Sequence, residues 1–311
     1  MEVSVICCGT MAMGSSVPFG NQDDEVSVQT VHAALDAGVN FFDTAESYGD
    51  GHAEEVLGRA LQGRRERAVI ATKVSSAHLV EPSLSQACDA SLQRLRTDWV
   101  DLYQVHWPDH SWPFVDVAAS LERLREKGKI RAWGVSNFGP LDLSEALSAG
   151  HPEVDQLPYS LLWRATEHEI VPLCTEHDVS VICYSPLAQG ILTGKFASVA
   201  DVPAQRQRAR YCKEPVARLA FAVVDELRAV STELRQPMAD VALAWLLAQR
   251  GVASVLAGMR APEQARENAR AGDLVLAPEV LARLTAASQP LKDALDANPD
   301  MWQEAPRSRY R

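Results

Sequence analysis

Four residues with complementary chemistry end or follow three short apolar segments of the chain. Asp43 and Tyr48 belong to the segment VNFFDTAESYG, Lys73 to RAVIATKV and His106 to VDLYQVHWPD. A buried Lys or Asp is costly unless it is paired, so we expect Asp43 and Lys73 to meet. If the three segments are successive strands of a parallel barrel, all four side chains lie at the rim where such folds carry their active sites.

These residue types together can polarise and protonate a carbonyl group. A phenol with a reference pKa of about 10 is a poor acid near neutral pH, but a neighbouring ammonium lowers that pKa. Tyr48 beside Lys73 would therefore serve as a general acid or base. His106 would hydrogen-bond the substrate oxygen, orient it and stabilise its developing negative charge.

Taken singly, each residue has an ordinary structural interpretation. A strand-end Asp is commonly a turn residue, a Tyr near Gly a loop anchor, and a strand-end Lys a side chain that reaches water. The coincidence of four such residues on consecutive strand ends favours a site. His106 and His110 are four apart, as in helical zinc sites, but Pro108 between them argues against a helix, so we expect no metal.

The composition is that of a globular protein with a sizeable core, since 47% of the 311 residues are hydrophobic. The formal net charge is −11 and no long block of Lys or Arg occurs, so we expect neither nucleic acid nor anionic membrane as a partner. The six cysteines lack C-x-x-C spacing, and no leader or bilayer-length apolar run is evident. We expect a cytoplasmic protein with reduced thiols that is a monomer by default.

Short apolar runs alternate with longer amphipathic segments, which is typical of βα units and a parallel sheet. The pattern predicts strands near 3–8, 40–43, 68–73, 100–106, 130–136, 153–158, 180–184 and 252–257. It predicts helices near 24–37, 53–62, 83–95, 116–127, 141–149, 169–177, 215–234, 238–249, 262–271 and 278–288. Eight strands predict a closed α/β barrel, a (β/α)8 TIM barrel, as a single domain over residues 1–311 with an extra C-terminal helix and tail.

Three predicted connections are long, namely 107–114, about 185–214, and the tail beyond Ser288. Long loops on a compact scaffold are usually functional or mobile. We expect the first and the third to frame a substrate and the second to cover a cofactor.

Carbonyl chemistry at this rim needs a hydride donor, which no side chain can supply, so the chain should bind a nicotinamide. The fingerprint G-x-G-x-x-G is absent, because the nearest approach, Gly49-Asp50-Gly51, has Glu54 at its sixth position. A barrel can instead hold phosphates on the loops after strands seven and eight, here 185–190 and 258–262. Tyr184 could stack on the ring, and Ser136 and Asn137 could bind its amide, although each could equally be a core aromatic or a cap.

The sequence strongly resembles the aldo-keto reductases over nearly the whole chain. The matching stretches are GVNFFDTAESYGDGHAEEVLGRAL, VIATKV, DLYQVHWPD, GKIRAWGVSNF, YSPLAQGILTGK and PEQARENARA. The resemblance implies a (β/α)8 barrel that reduces carbonyls with NADPH, or with NADH as the alternative. The family's catalytic residues fall on Asp43, Tyr48, Lys73 and His106, with Tyr48 as proton donor, Lys73 and Asp43 tuning it, and His106 positioning the carbonyl.

The resemblance also implies a set of cofactor-binding positions. Those around the nicotinamide and its carboxamide are Gly9, Thr10, Met11, Asp43, Ser136, Asn137, Gln156 and Tyr184. Those along the pyrophosphate and ribose are Ser185, Pro186, Leu187, Gln189, Gly190 and Lys195. Those around the adenosine half are Gly258, Arg260, Gln264, Glu267 and Asn268.

The chain departs from the family pattern in two places. Many relatives begin with a hairpin that closes the barrel floor, whereas this sequence starts almost directly in its first strand. Some relatives also carry a Lys at the position of Gly258 and an Arg at that of Gln264 to clasp a 2′-phosphate. Arg260 is the main remaining cation there, which favours NADPH over NADH without deciding the preference.

The expected substrate is a small molecule with a carbonyl or alcohol group, bound above the four catalytic residues. Tyr48 and His106 would contact it, and the expected wall consists of Met11, Ser47, Trp107, Trp112 and Trp163, with the tail near Trp302 closing one side. Such walls suit apolar or cyclic aldehydes and ketones.

Two alternatives to a reductase are a nicotinamide-binding regulatory subunit with slow turnover and a barrel aldolase or isomerase that uses Lys73 as a Schiff base. The second needs an unpaired lysine of low pKa, and the expected Asp43 partner argues against it.

Overall fold

The computed structural model describes residues 1–14 and 20–311 and consists of one closed parallel barrel surrounded by helices. The barrel strands are β1 (Ile6–Gly9), β2 (Phe41–Asp43), β3 (Val69–Val74), β4 (Val100–Val105), β5 (Ile130–Ser136), β6 (Val154–Pro158), β7 (Ser180–Tyr184) and β8 (Val252–Gly258). They pair in sequence order, and β8 closes onto β1. The predicted (β/α)8 barrel is confirmed, with each strand within a few residues of its expected place.

The helices of the described residues are α1 (Asp24–Asp36), α2 (His52–Ala60), α3 (Ser83–Leu95), α4 (Phe114–Glu126), α5 (Pro140–Ala149), α6 (Ile170–Glu176), α7 (Val216–Leu234), α8 (Met238–Leu247), α9 (Pro262–Ala271) and α10 (Pro278–Leu295). Local chemistry starts several of them. The Asp23 carboxylate accepts from the first free N–H groups of α1, and a proline opens α5, α9 and α10. No helix of the described residues is long and apolar enough to cross a membrane.

The predicted end of the last helix near Ser288 is wrong. α10 continues through Pro290 to Leu295. Leu284, Ser288, Leu291 and Leu295 are buried along one face, so packing holds the helix together although Pro290 has no N–H to donate.

The barrel interior is divided into two layers that differ in polarity. The lower layer is apolar and consists of Cys7, Phe41, Ala71, Leu102, Val154, Ile182 and Leu256. The layer above it carries buried polar side chains from neighbouring strands, namely Asp43, Lys73, Gln104 and Gln156. A polar layer at the C-terminal ends of the strands is the place where a barrel positions functional groups.

The barrel floor is open in the described part of the chain, where no strand precedes β1. A cavity of about 750 Å³ lies there, lined by Glu2, Phe41, Trp99 and Arg131 among others. Residues 1–4 adopt no helix or strand.

The predicted long loop after β7 carries a series of short 3-10 turns between 188 and 212, and the chain beyond α10 crosses the C-terminal face of the barrel. All six cysteines are buried, and none forms a disulfide.

Candidate active site

The barrel brings Asp43, Tyr48, Lys73 and His106 together at its C-terminal face. Asp43 ends β2, Lys73 lies in the next strand, and His106 follows β4 directly, where its backbone N–H donates to the Val74 oxygen at 3.0 Å. Tyr48 lies on the loop that leads into α2. The four residues that the sequence predicted to form one site are therefore neighbours.

A close approach of two glycines holds the loop that carries Tyr48. A side-chain carbon on Gly14 would lie 2.8 Å from the carbonyl carbon of Tyr48, and Gly49 has a φ of +61°. A substituent at either position would displace the backbone beside Tyr48.

Lys73 is fully buried and donates three hydrogen bonds. Its Nζ lies 2.5 Å from Asp43 Oδ1, 2.9 Å from the backbone carbonyl oxygen of Thr44 and 3.3 Å from the Tyr48 hydroxyl. The expected Asp43–Lys73 pair is present, and all three protons of the ammonium have partners.

Burial and the neighbouring charges act in opposite directions on the pKa values of Lys73 and Tyr48. Burial opposes the charge of Lys73, but Asp43 and Tyr48 outweigh it and hold the pKa of Lys73 above its ordinary value. A raised pKa argues against a Schiff-base role. Burial raises the pKa of Tyr48 above its ordinary value, although Lys73 pulls that pKa downward. The expected net lowering of the pKa of Tyr48 is therefore wrong for the ligand-free site, because desolvation exceeds the effect of the ammonium.

His106 lies beside Tyr48, with the two rings edge to face at 5.8 Å between centroids. Its Nδ1 is 3.3 Å from the Ser47 hydroxyl, and burial together with Lys73 lowers the pKa of His106 to about 3. The imidazole is therefore neutral near pH 7. His110 lies elsewhere, 2.9 Å from Asp142, so the two histidines do not converge.

Asn137 is a hub of the site and has a φ of +65°. Its Nδ2 donates to the His106 carbonyl and to Ser136 Oγ, each at 3.0 Å. Its Oδ1 accepts from the hydroxyls of Tyr184 and Tyr310, each at 2.8 Å. All four hydrogen-bonding positions of the amide are therefore filled.

Several expected cofactor positions lie at the C-terminal ends of the barrel strands, as Asn137 does. Ser136 and Gln156 are paired in register on β5 and β6, and Gly9 pairs with both Asp43 and Gly258. Thr10 Oγ1 donates to the backbone carbonyl oxygen of Asp43 at 3.0 Å, and Met11 lies on the following 3-10 turn.

The loop after β7 has an unusual backbone. Ser185, Ala188, Gln189 and Gly190 have positive φ values of 54°, 47°, 56° and 93°. The N–H groups of Ala188 and Gly190 donate to the carbonyl oxygens of Ser185 and Leu187, at 2.9 Å each. Lys195 lies beside Gly190, and burial together with the charge of Arg206 lowers the pKa of Lys195. The expected positions Pro186 and Leu187 lie within the same loop.

At the start of α9, Arg260 is held in place by other residues. Its Nε donates to Gln22 at 3.0 Å, and its backbone N–H donates to Gln264 at 2.8 Å. Asn268 is buried and contacts the Gly258 oxygen, whereas Glu267 is exposed. Residues with the chemistry of a pyrophosphate and ribose site therefore border the active-site rim, and they fit a dinucleotide.

The expected substrate wall is only partly as predicted. Met11 and Trp112 are 41% and 45% exposed. Trp107 is covered by Arg309, whose guanidinium carbon is 3.7 Å from the ring centroid. Trp163 is wrong as a wall residue, because it is fully buried against Tyr211.

The sequence analysis did not identify Gln104, Arg309 or Tyr310 as parts of the site. Tyr310 meets Trp107 edge to face at 5.6 Å as well as donating to Asn137. Trp302, the tail residue that was expected near the pocket, lies beside Arg208 of the loop after β7. The sequence did contain a signal for Gln104. It is an amide in the apolar strand VDLYQV, and the alternation of side chains along a strand directs it to the same side as Leu102, the interior of the barrel.

Comparison with known proteins identifies the group to which this site belongs. Residues 5–289 match the model of the Aldo/keto reductase family. The chain belongs to that family. This aldo/keto reductase is an oxidoreductase, and the resemblance expected from its motifs is confirmed.

Three relatives show the range of proteins that are similar to this reductase. The aldo-keto reductase YhdN of Bacillus subtilis is 33% identical over 279 residues, which cover 85% of this chain and 83% of YhdN. An NADH-specific methylglyoxal reductase of Escherichia coli is 32% identical over 287 residues, covering 85% and 88%. A probable voltage-gated potassium channel subunit beta of Arabidopsis thaliana is 33% identical over 313 residues, covering 90% and 93%.

Solved structures share the fold of this reductase. A glycerol dehydrogenase from Gluconobacter oxydans is 31% identical with a TM-score of 0.84, covering 93% of this chain and 94% of that one. An aldo/keto reductase from Klebsiella pneumoniae in complex with NADP and acetate is 29% identical with a TM-score of 0.76, covering 97% and 94%.

Proposed function

We propose that this protein reduces aldehydes and ketones to alcohols with NADPH, using Tyr48 as the general acid. The observation that carries the proposal is the buried chain of contacts from Asp43 through Lys73 to the Tyr48 hydroxyl, with a neutral imidazole beside it. Such an arrangement has a proton to give, a cation to stabilise the phenolate that remains, and a second polar group for the substrate oxygen.

Each residue has a defined task in this reaction. The cofactor, when bound, supplies the hydride that reaches the carbonyl carbon. Tyr48 donates its proton to the carbonyl oxygen, and Lys73 stabilises the resulting phenolate from 3.3 Å. Asp43 keeps Lys73 charged and fixed, and His106 orients the carbonyl by a hydrogen bond. The same residues act in reverse when an alcohol is oxidised.

The cofactor preference is also a proposal. NADP in the Klebsiella pneumoniae relative and the position of Arg260 at the start of α9 support NADPH. The NADH-specific relative from Escherichia coli shows that similar proteins can take the other cofactor. We place Ser136, Asn137, Gln156 and Tyr184 around the nicotinamide, and we place the loop after β7 and the start of α9 along the rest.

The proposed substrates are carbonyl compounds with apolar or cyclic groups, since Met11 and Trp112, two of the expected wall residues, have exposed apolar side chains. We propose a cytoplasmic monomer, and the six buried free thiols are consistent with a reducing compartment.

The decisive experiment compares the wild type with Tyr48→Phe and with Tyr103→Phe. The Tyr103 hydroxyl is buried and has no hydrogen-bond partner among the described residues, so its loss controls for removing a phenolic oxygen from the barrel wall. Oxidation of NADPH and of NADH is followed with a panel of aromatic aldehydes, dicarbonyls and sugars. We expect turnover to fall by at least about 100-fold in Tyr48→Phe, while Tyr103→Phe stays near wild type.

The same experiment tests the regulatory alternative, which the similarity to a potassium channel subunit keeps open. Tight cofactor binding by the wild type with negligible turnover across the panel contradicts a dedicated reductase and favours a nicotinamide-binding regulatory subunit. Turnover that persists in Tyr48→Phe contradicts the role of Tyr48.

A further inference from the structure

The two oxygens of the Asp43 carboxylate have different kinds of hydrogen-bond partner. Asp43 Oδ1 faces the Lys73 ammonium, whereas Oδ2 accepts from Gln104 Nε2 at 3.2 Å and from Gln156 Nε2 at 2.9 Å. Asp43, Gln104 and Gln156 are all at most 2% exposed. Two neutral amides therefore complete the solvation of a buried carboxylate.

The chemistry of Asp43 fixes the orientation of both amides. An ionised carboxylate only accepts, so each glutamine must present its NH2 group to it. Gln104 Oε1 then receives the other proton of Gln156 Nε2 at 3.3 Å. With that nitrogen committed twice, Gln156 has only its Oε1 left to offer to a ligand above.

Gln104 occupies a place suited to join these groups. It is paired in register with Lys73 across β3 and β4, and it lies directly above the apolar layer to which Leu102 belongs. An apolar residue would continue that layer but would take one hydrogen bond each from Asp43 and Gln156. Within the described residues the amide of Gln104 pairs with Asp43 and Gln156, which both belong to the proposed site.

We propose that Gln104 is a positioning residue that couples the Asp43–Lys73 pair to Gln156, so that one amide sets both the proton-donating group and the carboxamide-binding group. The inference deepens the proposed function and rests on it.

The first consequence concerns proton transfer. The amide of Gln104 places its positive end at Asp43 and offsets part of the carboxylate charge. Without it, Asp43 attracts the Lys73 proton more strongly, and Lys73 stabilises the Tyr48 phenolate less. The phenolate then forms at higher pH, so alcohol oxidation, which requires the phenolate, needs a higher pH.

The second consequence concerns the cofactor. Loss of Gln104 Oε1 leaves Gln156 with a single anchor, so its Oε1 is no longer held toward the ligand. We expect nicotinamide cofactors to bind more weakly by roughly 3- to 10-fold, as is usual for the loss of one hydrogen bond.

The test uses Gln104→Met, which keeps the shape of the side chain and removes the amide, with Leu102→Met as control one layer below on the same strand. For both variants and the wild type we would measure the pH profile of alcohol oxidation and the dissociation constant of NADPH by calorimetry. In Gln104→Met the pH at which the oxidation rate rises should move up by on the order of half a unit to one unit, and NADPH should bind more weakly, whereas Leu102→Met should match the wild type in both.

The outcomes separate the inference from the function on which it rests. An active wild type whose pH limb and NADPH affinity are unchanged by Gln104→Met overturns the positioning role. A rate loss of equal size at every pH, with unchanged affinity, overturns it too, because that is the signature of a structural residue. If the wild type turns over no substrate, the proposed function fails, and an NADPH dissociation constant equal in wild type and Gln104→Met then overturns the inference as well.

Discussion

His106 shows how burial selects the chemistry available to a residue. Since burial and Lys73 lower its pKa to about 3, the imidazole is neutral near pH 7. It can therefore hydrogen-bond a carbonyl oxygen but cannot serve as a cationic acid near neutral pH.

We predict that kcat/KM for carbonyl reduction shows no ionisation between about pH 5.5 and 7.5, where an unperturbed imidazole titrates. The pH–rate profile is measured for the wild type and for Ser47→Ala, which removes the hydroxyl that is hydrogen-bonded to His106. A limb in that range which disappears in His106→Gln would show that the imidazole titrates and would refute the prediction.

Asp155 is a buried carboxyl that the proposed mechanism does not use. It is fully buried, and its Oδ2 has no hydrogen-bond partner in the described structure. Burial raises the pKa of Asp155 well above its ordinary value. The folded protein therefore retains a proton that the unfolded chain releases once the pH exceeds about 4.

The sign of the effect on stability follows from this difference. Above the unfolded pKa the native state binds more protons, so the contribution of Asp155 to stability falls as the pH rises toward its folded pKa. We predict that Asp155→Asn increases the free energy of unfolding by about 1–3 kcal/mol near pH 8 and by much less near pH 4.5.

Urea unfolding at both pH values measures this, with the exposed Asp98→Asn as control for the loss of one charge. Equal gains at the two pH values would mean that the carboxyl is not the source of the penalty.

The four proposed catalytic residues show what can be predicted at this scale. Their residue types and their positions at or near strand ends were enough to predict that all four side chains lie close together. The net direction of the pKa of Tyr48 was not predictable, because it depends on how deeply the phenol is buried, which no local pattern encodes. The saturated amide of Asn137 was also hidden, since two of its partners are tyrosines 47 and 173 residues away.

At the scale of elements, the approach of Gly14 to the Tyr48 loop links a turn after β1 to the catalytic phenol. We predict that Gly14→Ala lowers kcat at least about 10-fold, because the added carbon meets backbone that can move only by shifting Tyr48. Cofactor affinity should change much less. The assay is steady-state kinetics alongside thermal unfolding.

Gly63→Ala is the matched control, because its position has a positive φ but open space around it. If Gly63→Ala lowers kcat as much as Gly14→Ala does, the loss reflects general strain and not the position of Tyr48.

The strands and most helices were predictable because apolar runs and amphipathic stripes report burial directly. α10 was not, because the rule that Pro ends a helix ignores tertiary packing. Leu291 and Leu295 are buried, and Lys292 pairs with Glu167 at 2.9 Å, so contacts beyond Pro290 hold the last turns.

At the scale of the whole molecule, the chain beyond α10 ties distant parts of the barrel face together. Arg210, on the loop after β7, binds the Leu295 oxygen at 2.9 Å, and Asp300 is buried against Arg309. Farther on, the Arg311 backbone N–H donates to Asp142 of α5 at 3.0 Å. None of these contacts could be read from sequence, because each joins segments without a shared periodic pattern.

Tyr310 is the point at which this tail acts on the proposed site. Its hydroxyl is one of two donors that hold the Asn137 amide with Oδ1 toward the tyrosines and Nδ2 toward His106. Removing the hydroxyl leaves the amide freer to turn, and a group that must be ordered on binding costs affinity. We predict that Tyr310→Phe weakens NADPH binding by about 2- to 10-fold, with little change in the free energy of unfolding.

Fluorescence titration with NADPH measures this, and Tyr211→Phe is the control because the buried Tyr211 hydroxyl has no hydrogen-bond partner in the described structure. Tighter binding by Tyr310→Phe would instead mean that the hydroxyl competes with the cofactor for Asn137. The tail would then act as a brake on binding and not as a support for it.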